Sequence, residues 1–131
     1  NQKANRAYAG KRPRSSMAPT IITNKQGRLV MVIGSPGGSS IIGYVVKTII
    51  AALDWRMNLQ DSVALPNFVN KNHKTELEKG TYLENFALEL QRLGHKIKIK
   101  TKNSGLHGIR VQIRGYEGGA DPRREGLAIG D

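Results

Sequence analysis

The stretch "VMVIGSPGGSSIIGYVV", Val30 to Val46, sets an apolar run against a glycine-rich turn and then a second apolar run. Leu29 to Ile33 reads as a buried strand, because β-branched residues dominate a short apolar stretch that Gly-Ser-Pro-Gly-Gly then stops. Ile41 to Leu53 reads as a helix. Gly37 and Gly38 leave their peptide N–H groups uncovered, so a negatively charged oxygen can approach the backbone at the start of that helix. The turn therefore reads as an anion or oxyanion site, although tight strand-to-helix packing would also account for its glycines.

Nucleotide motifs do not fit this turn. A P-loop needs Lys and then Ser or Thr after its last Gly, whereas Gly38 is followed by Ser39 and Ser40. The spacing of Gly34, Gly37 and Gly38 is not G-x-G-x-x-G, and Pro36 stiffens the turn. An oxyanion hole for acyl transfer stays open.

Upstream, Pro19 to Asn24 and Leu29 to Ile33 are two apolar β-rich runs separated by "KQGR", with Gly27 supplying the turn, which is a hairpin signal. Residues 1–18 are polar and interrupted by Gly10 and Pro13, an irregular arm. Downstream, the helix from Ser40 to about Trp55 is apolar almost all round apart from Lys47, so it is expected to be covered on more than one side. A short helix is expected over Leu59 to Ala64, ended by Pro66, and a short strand over Phe68 to Asn70.

"TYLENFALELQRLGH" gives the best helix signal. Thr81 and Glu84 have capping-box spacing, Leu83, Phe86, Ala87, Leu90 and Leu93 fall at helical intervals, and Gly94 suits the stop. One face is expected to be core and the other charged. "KIKIKTK" and "IRVQIRG" then alternate, with Ile97 and Ile99, and Ile109, Val111 and Ile113, on one face. Lys96, Lys98, Lys100, Lys102, Arg110 and Arg114 line the other, so this pair is expected to present one basic sheet surface. Such a surface suits phosphate backbone, but it lacks the aromatics of a base-stacking platform. Solvated Lys on an exposed or edge strand, which discourages sheet-to-sheet aggregation, is the commoner explanation.

The 131 residues suffice for one modest domain, and no repeat or long linker divides them, so residues 1–131 read as a single unit. Two Phe, four Tyr and one Trp make the core mainly aliphatic. There is no Cys, hence no disulfide, thiol nucleophile or thiolate metal site. Ile41 to Leu53 contains Lys47 and is shorter than the roughly 20 residues needed to cross a bilayer, so no membrane span is expected. The chain opens without Met, a signal core or a cleavage site, as a processed piece would.

The net charge is +11, and no Asp or Glu precedes Asp54. Nucleic acid, an acidic small substrate and an acidic protein surface would all be drawn to that field, which is also what a solvated basic face produces. His73, His95 and His107 follow no metal-ligand pattern, so no metal and no cofactor is expected. No Ser sits in G-x-S-x-G, and Ser15 and Ser16 have no base beside them in sequence. The chain contains no convincing nucleophile.

"KRPRSSMAPTI", followed after one hairpin by "GSPGGS", then "MNLQDSVALP" and the closing "GGADPRREGLAIGD", resembles the gamma-glutamyltransferases, or gamma-glutamyl transpeptidases, over most of residues 5–131 and in the right order. The resemblance implies the α/β fold of an N-terminal nucleophile hydrolase, of which this chain would form part of an αββα sandwich. It is to the later part of the small subunit, so the partners implied are the large subunit and the N-terminal part of that small subunit. The nucleophilic Thr would come from there, and the isolated chain is expected to be inactive.

By the same resemblance Ser15 and Ser16 hold the α-carboxylate of the γ-glutamyl group, Met17 lines that pocket, and the backbone N–H groups of Gly37 and Gly38 form the oxyanion hole. Asp121 and Arg123 are assigned an ion pair pinning the C-terminal segment. The implied reaction is transfer or hydrolysis of γ-glutamyl groups with glutathione as donor, in the periplasm or outside the cell. Asn67 and Val69 stand where relatives show Arg and His, and "NSGLHGIRV" matches only loosely. Cephalosporin acylases and depolymerases of poly-γ-glutamate share the architecture. A basic module binding nucleic acid or another polyanion is the competing class, and self-association of an uncovered fragment is a third outcome.

Overall fold

The computed structural model describes residues 6–130. Lys3 and the rest of the first five residues of the arm lie outside the described residues, as does Asp131. Residues 6–19 form no helix or strand.

The hairpin pairs β1 (Thr20–Thr23) antiparallel with β2 (Leu29–Gly34). Asn24 closes its turn, the side-chain Oδ1 accepting from the N–H groups of Gln26 and Arg28, each at 3.0 Å. A three-residue 3-10 turn, Gly38–Ser40, leads into α1 (Ile41–Leu53). After α2 (Leu59–Ala64) come β3 (Phe68–Asn70) and β4 (Lys74–Glu78). A second 3-10 segment, Tyr82–Phe86, precedes α3 (Ala87–Arg92), and β5 (Lys96–Lys100), β6 (His107–Gln112) and β7 (Gly115–Ala120) complete the chain.

The strands form two sheets, one ordered β1-β2-β6-β7 and antiparallel throughout. The other is β3-β4-β5, in which β4 and β5 run parallel because α3 carries the chain across. The core lies between one face of the four-stranded sheet and the helices. Met31 and Ile33 of β2 meet Tyr44, Val45 and Ala52 of α1 and Leu59 and Val63 of α2. Val69 of β3 joins them, with α1 so close that a Cβ on Gly43 would stand 2.9 Å from a Val69 methyl carbon.

Three expectations are corrected by this arrangement. Lys47, read as the polar mark on an otherwise apolar helix, is 6 % exposed, while Ile42, Val46 and Ile50 at successive i, i+4 positions face outward. The helix turns its cation inward because Nζ donates to the Leu65 carbonyl at 2.6 Å. Secondly, β5 and β6 do not form one basic surface, since they belong to different sheets. Arg110 lies on the helix side, where it pairs with Glu117 and donates to the carbonyls of Ala52 (2.8 Å) and Met57 (3.1 Å). Ile109 is half exposed and Ile113 fully so. Thirdly, the helix of "TYLENFALELQRLGH" becomes α-helical only at Ala87 and buries no residue. No capping box forms: the Thr81 hydroxyl donates to the Glu78 carbonyl (2.8 Å) and Glu84 accepts from Gly80 N–H (2.5 Å).

Candidate active site

The turn after β2 has a geometry that few side chains tolerate. Gly37 has φ +139°, and a Cβ there would stand 2.7 Å from the Tyr44 ring. Gly38 has φ +56°, with nothing within 4 Å of where its Cβ would be. The first residue must be glycine to let the turn lie on α1, and the second is bare toward open space. Both N–H groups stand at the start of the 3-10 turn, among those that a helical ladder leaves without carbonyl partners. Such donors suit a negatively charged oxygen.

Gly38 borders a cleft of about 580 Å³. Arg14, Ser15, Ser16 and Met17 of the arm line one part of it, and Ser39, Ile41 and Lys71 line the rest. The structure thus brings Ser15, Ser16, Met17 and Gly38 together around one space, while Gly37 sits against Tyr44 beneath the turn. Ser16 is half-buried; Ser15 is exposed and accepts from Met17 N–H at 3.1 Å.

Lys71 was not singled out from the sequence. It follows β3, and its Nζ donates to Ser39 Oγ (3.1 Å) and Ser40 Oγ (3.4 Å). The contact spans more than thirty positions and is created by β3 packing on α1. No local spacing announces it.

Behind α1 lies a second polar cluster. Arg123 donates to Glu78 through Nε (2.5 Å) and Nη2 (2.9 Å), and to Asp121 through Nη1 (3.0 Å). It also donates to the carbonyls of Ala64 (3.2 Å) and Leu65 (3.1 Å) at the end of α2. Burial alone would raise the Asp121 carboxyl pKa, but hydrogen bonds from the Ser104 hydroxyl and the N–H groups of Arg123 and Leu106, with the Arg123 guanidinium, hold it below the usual range. Burial and the neighbouring Arg123 charge lower the Lys47 pKa to about 8.

The two departures from the resembled pattern lie in this interior and not on the cleft. Asn67 is fully buried, donating from its backbone to Glu78 (2.6 Å) and from Nδ2 to Ser104 Oγ (2.9 Å). Val69 packs beneath Gly43 of α1.

Two sheets packed with helices, and a glycine turn at the strand-to-helix junction, place the chain in a class. The fold is that of a portion of an αββα sandwich of the N-terminal nucleophile hydrolases. The family model described as Gamma-glutamyltranspeptidase matches residues 1–131, and the chain belongs to that family. It is 37% identical to the glutathione hydrolase proenzyme of Pseudomonas sp. (strain A14) over 98% of this chain and 24% of that protein. With the glutathione hydrolase proenzyme of Escherichia coli (strain K12) the identity is 36% over 92% of this chain and 21% of that protein. A crystallised mutant of the gamma-glutamyltranspeptidase of Helicobacter pylori superposes with a TM-score of 0.82 at 32% identity, covering 95% of this chain and 69% of that one. The chain thus spans about a quarter of the curated relatives' length. Among the described residues no helix is long and apolar enough to cross a membrane.

Proposed function

We propose that the protein to which these residues belong transfers or hydrolyses γ-glutamyl groups, with glutathione as donor, and that this chain supplies one wall of the active site. Family membership supports the reaction class. The observation that carries the assignment of roles is the cleft itself, in which Gly38, with a positive φ and open space before it, faces the same volume as Ser15 and Ser16. Two hydroxyls in a cationic setting suit the α-carboxylate of the donor. The N–H groups of Gly37 and Gly38 receive the charge that develops when the γ-carbonyl becomes tetrahedral, and Met17 closes the apolar side. The nucleophilic Thr, like the rest of the pocket, comes from the N-terminal part of the small subunit and from the large subunit. The assembled enzyme works in the periplasm or outside the cell.

The test is Gly38→Val, with Gly38→Ala as the milder companion, in the complete enzyme. A Cβ at Gly38 enters open space but disturbs the donor N–H, so kcat should fall by about a hundredfold or more while KM moves little. A melting temperature measured on the same samples separates this loss from unfolding, because a residue other than glycine at φ +56° is itself strained. Unchanged turnover in both variants would remove the oxyanion assignment.

A further inference from the structure

We infer that Lys71 recognises a second carboxylate on the substrate, one carried by the peptide that leaves the γ-glutamyl group or by the peptide that accepts it. The inference rests on the γ-glutamyl reading above. Ser15 and Ser16, with Arg14 beside them on the cleft wall, are already assigned to the α-carboxylate, and backbone N–H groups to the oxyanion, so Lys71 on the other part of the wall has neither of those tasks.

Its position argues for an anion. Lys71 Nζ reaches Ser39 and Ser40 at the start of α1, where the partial positive charge of a helix makes a lysine unwelcome unless negative charge joins it. No acidic residue occupies the first turn of that helix or of the 3-10 turn before it. Among the described residues Lys71 forms no ion pair. Glu76 of β4, whose carboxyl feels the Lys71 charge, is itself paired with Lys102. An ammonium has three N–H groups, and the two serine hydroxyls engage two of them. The cleft therefore offers an exposed cation beside the glycine turn that no carboxylate among the described residues pairs with.

The chemistry names the substrate class. The leaving peptide and the incoming acceptor occupy the same side of the acyl group in turn, so one cation serves both. The ligands selected are amino acids and short peptides with a free carboxylate, in preference to amines and amides that lack one. No bond is made or broken by Lys71, which is a specificity residue.

The experiment uses the complete enzyme and two pairs of donors, glutathione against its C-terminal amide and γ-glutamylglycine against γ-glutamylglycinamide, with glutamate release as readout. The wild type should prefer the free acid in at least one pair, and added salt should compress that preference. Lys71→Gln should shrink the kcat/KM ratio of acid to amide by about five- to tenfold, Lys71→Glu should invert it, and Lys71→Arg should restore it. An active wild type whose acid-to-amide ratios are unchanged in Lys71→Gln and Lys71→Glu would overturn the role given to Lys71 and leave the γ-glutamyl reading standing. A wild type that cleaves neither pair would overturn that reading and this inference with it.

Discussion

Lys47 shows how a single residue can be misplaced by pattern alone. Helical periodicity identified an apolar helix with one charge on it, and a charge is ordinarily assigned to water. Here the flexible stem carries Nζ inward to the Leu65 carbonyl, and the helix accepts three exposed aliphatic residues on the opposite side. The arrangement has a cost whose sign follows from the pKa. Lys47 titrates near 8 in the folded chain instead of at its ordinary 10.5, so between those values the unfolded chain binds more protons and stability rises with pH. Below pH 8 the full cost of charging a buried amine is present. Lys47→Met should therefore raise stability at pH 7 by up to about 3 kcal/mol, a gain that shrinks as pH climbs past 8 and is gone above 10.5. The Leu65 carbonyl keeps its bond from Arg123, so the substitution leaves no orphaned acceptor. Denaturant unfolding of both forms across pH 7 to 10 measures the difference, and equal midpoints at pH 7 would show that the amine is better solvated than its burial indicates. Gly37 and Gly38, by contrast, were legible as a turn that needs glycine: both have positive φ, and a Cβ on Gly37 would meet the Tyr44 ring.

At the scale of elements, the hairpin, α1, α2 and β3 could be read from alternation, glycine turns and a proline stop, because each of those signals is local. The region of Tyr82 to Arg92 could not be read as well. Its capping spacing is present, but Glu78 and Gly80 at the end of β4 take the Thr81 and Glu84 side chains, so the first turn tightens to 3-10. Sheet membership was also hidden, since Lys96 to Lys100 and His107 to Gln112 look like parts of one basic sheet surface until strand pairing separates them. The C-terminal segment depends on Arg123, which ties it to β4 and α2. Arg123→Gln would leave Asp121 and Glu78, fully and almost fully buried, without their cation, and should destabilise the fold by about 3–5 kcal/mol. Asp121 contributes stability above its ordinary pKa, which is lost on acidification below about pH 4, so the deficit of the variant should be largest near neutrality. A melting profile from pH 3 to 7 would decide it, and a deficit independent of pH would mean that lost packing, not charge, is responsible.

The whole molecule carries its site on one wall and leaves other faces bare. One side of the four-stranded sheet is filled by helices, while the other exposes Ile21, Leu29, Ile109 and Tyr116, with Leu127 and Ile129 beside a groove of about 1280 Å³. In an αββα sandwich that second side packs on another sheet, which explains why these apolar residues are exposed in the 131 residues. An apolar face of this kind seeks cover from whatever is available. The 131-residue chain prepared alone should therefore run well above its 14.4 kDa mass in size exclusion and bind a hydrophobic dye, without turning over γ-glutamyl donors. Co-expression with the remainder of the protein should bring it into a defined complex and abolish the dye signal. Replacing Ile109 and Tyr116 together by Lys separates the two kinds of association: it should disperse the chain prepared alone and prevent assembly in the co-expressed protein, since the same face serves both. Assembly that survives the double substitution would show that the sheet face is not where the rest of the protein docks, and the outward stripe of Ile42, Val46 and Ile50 on α1 would then be the surface to mutate next.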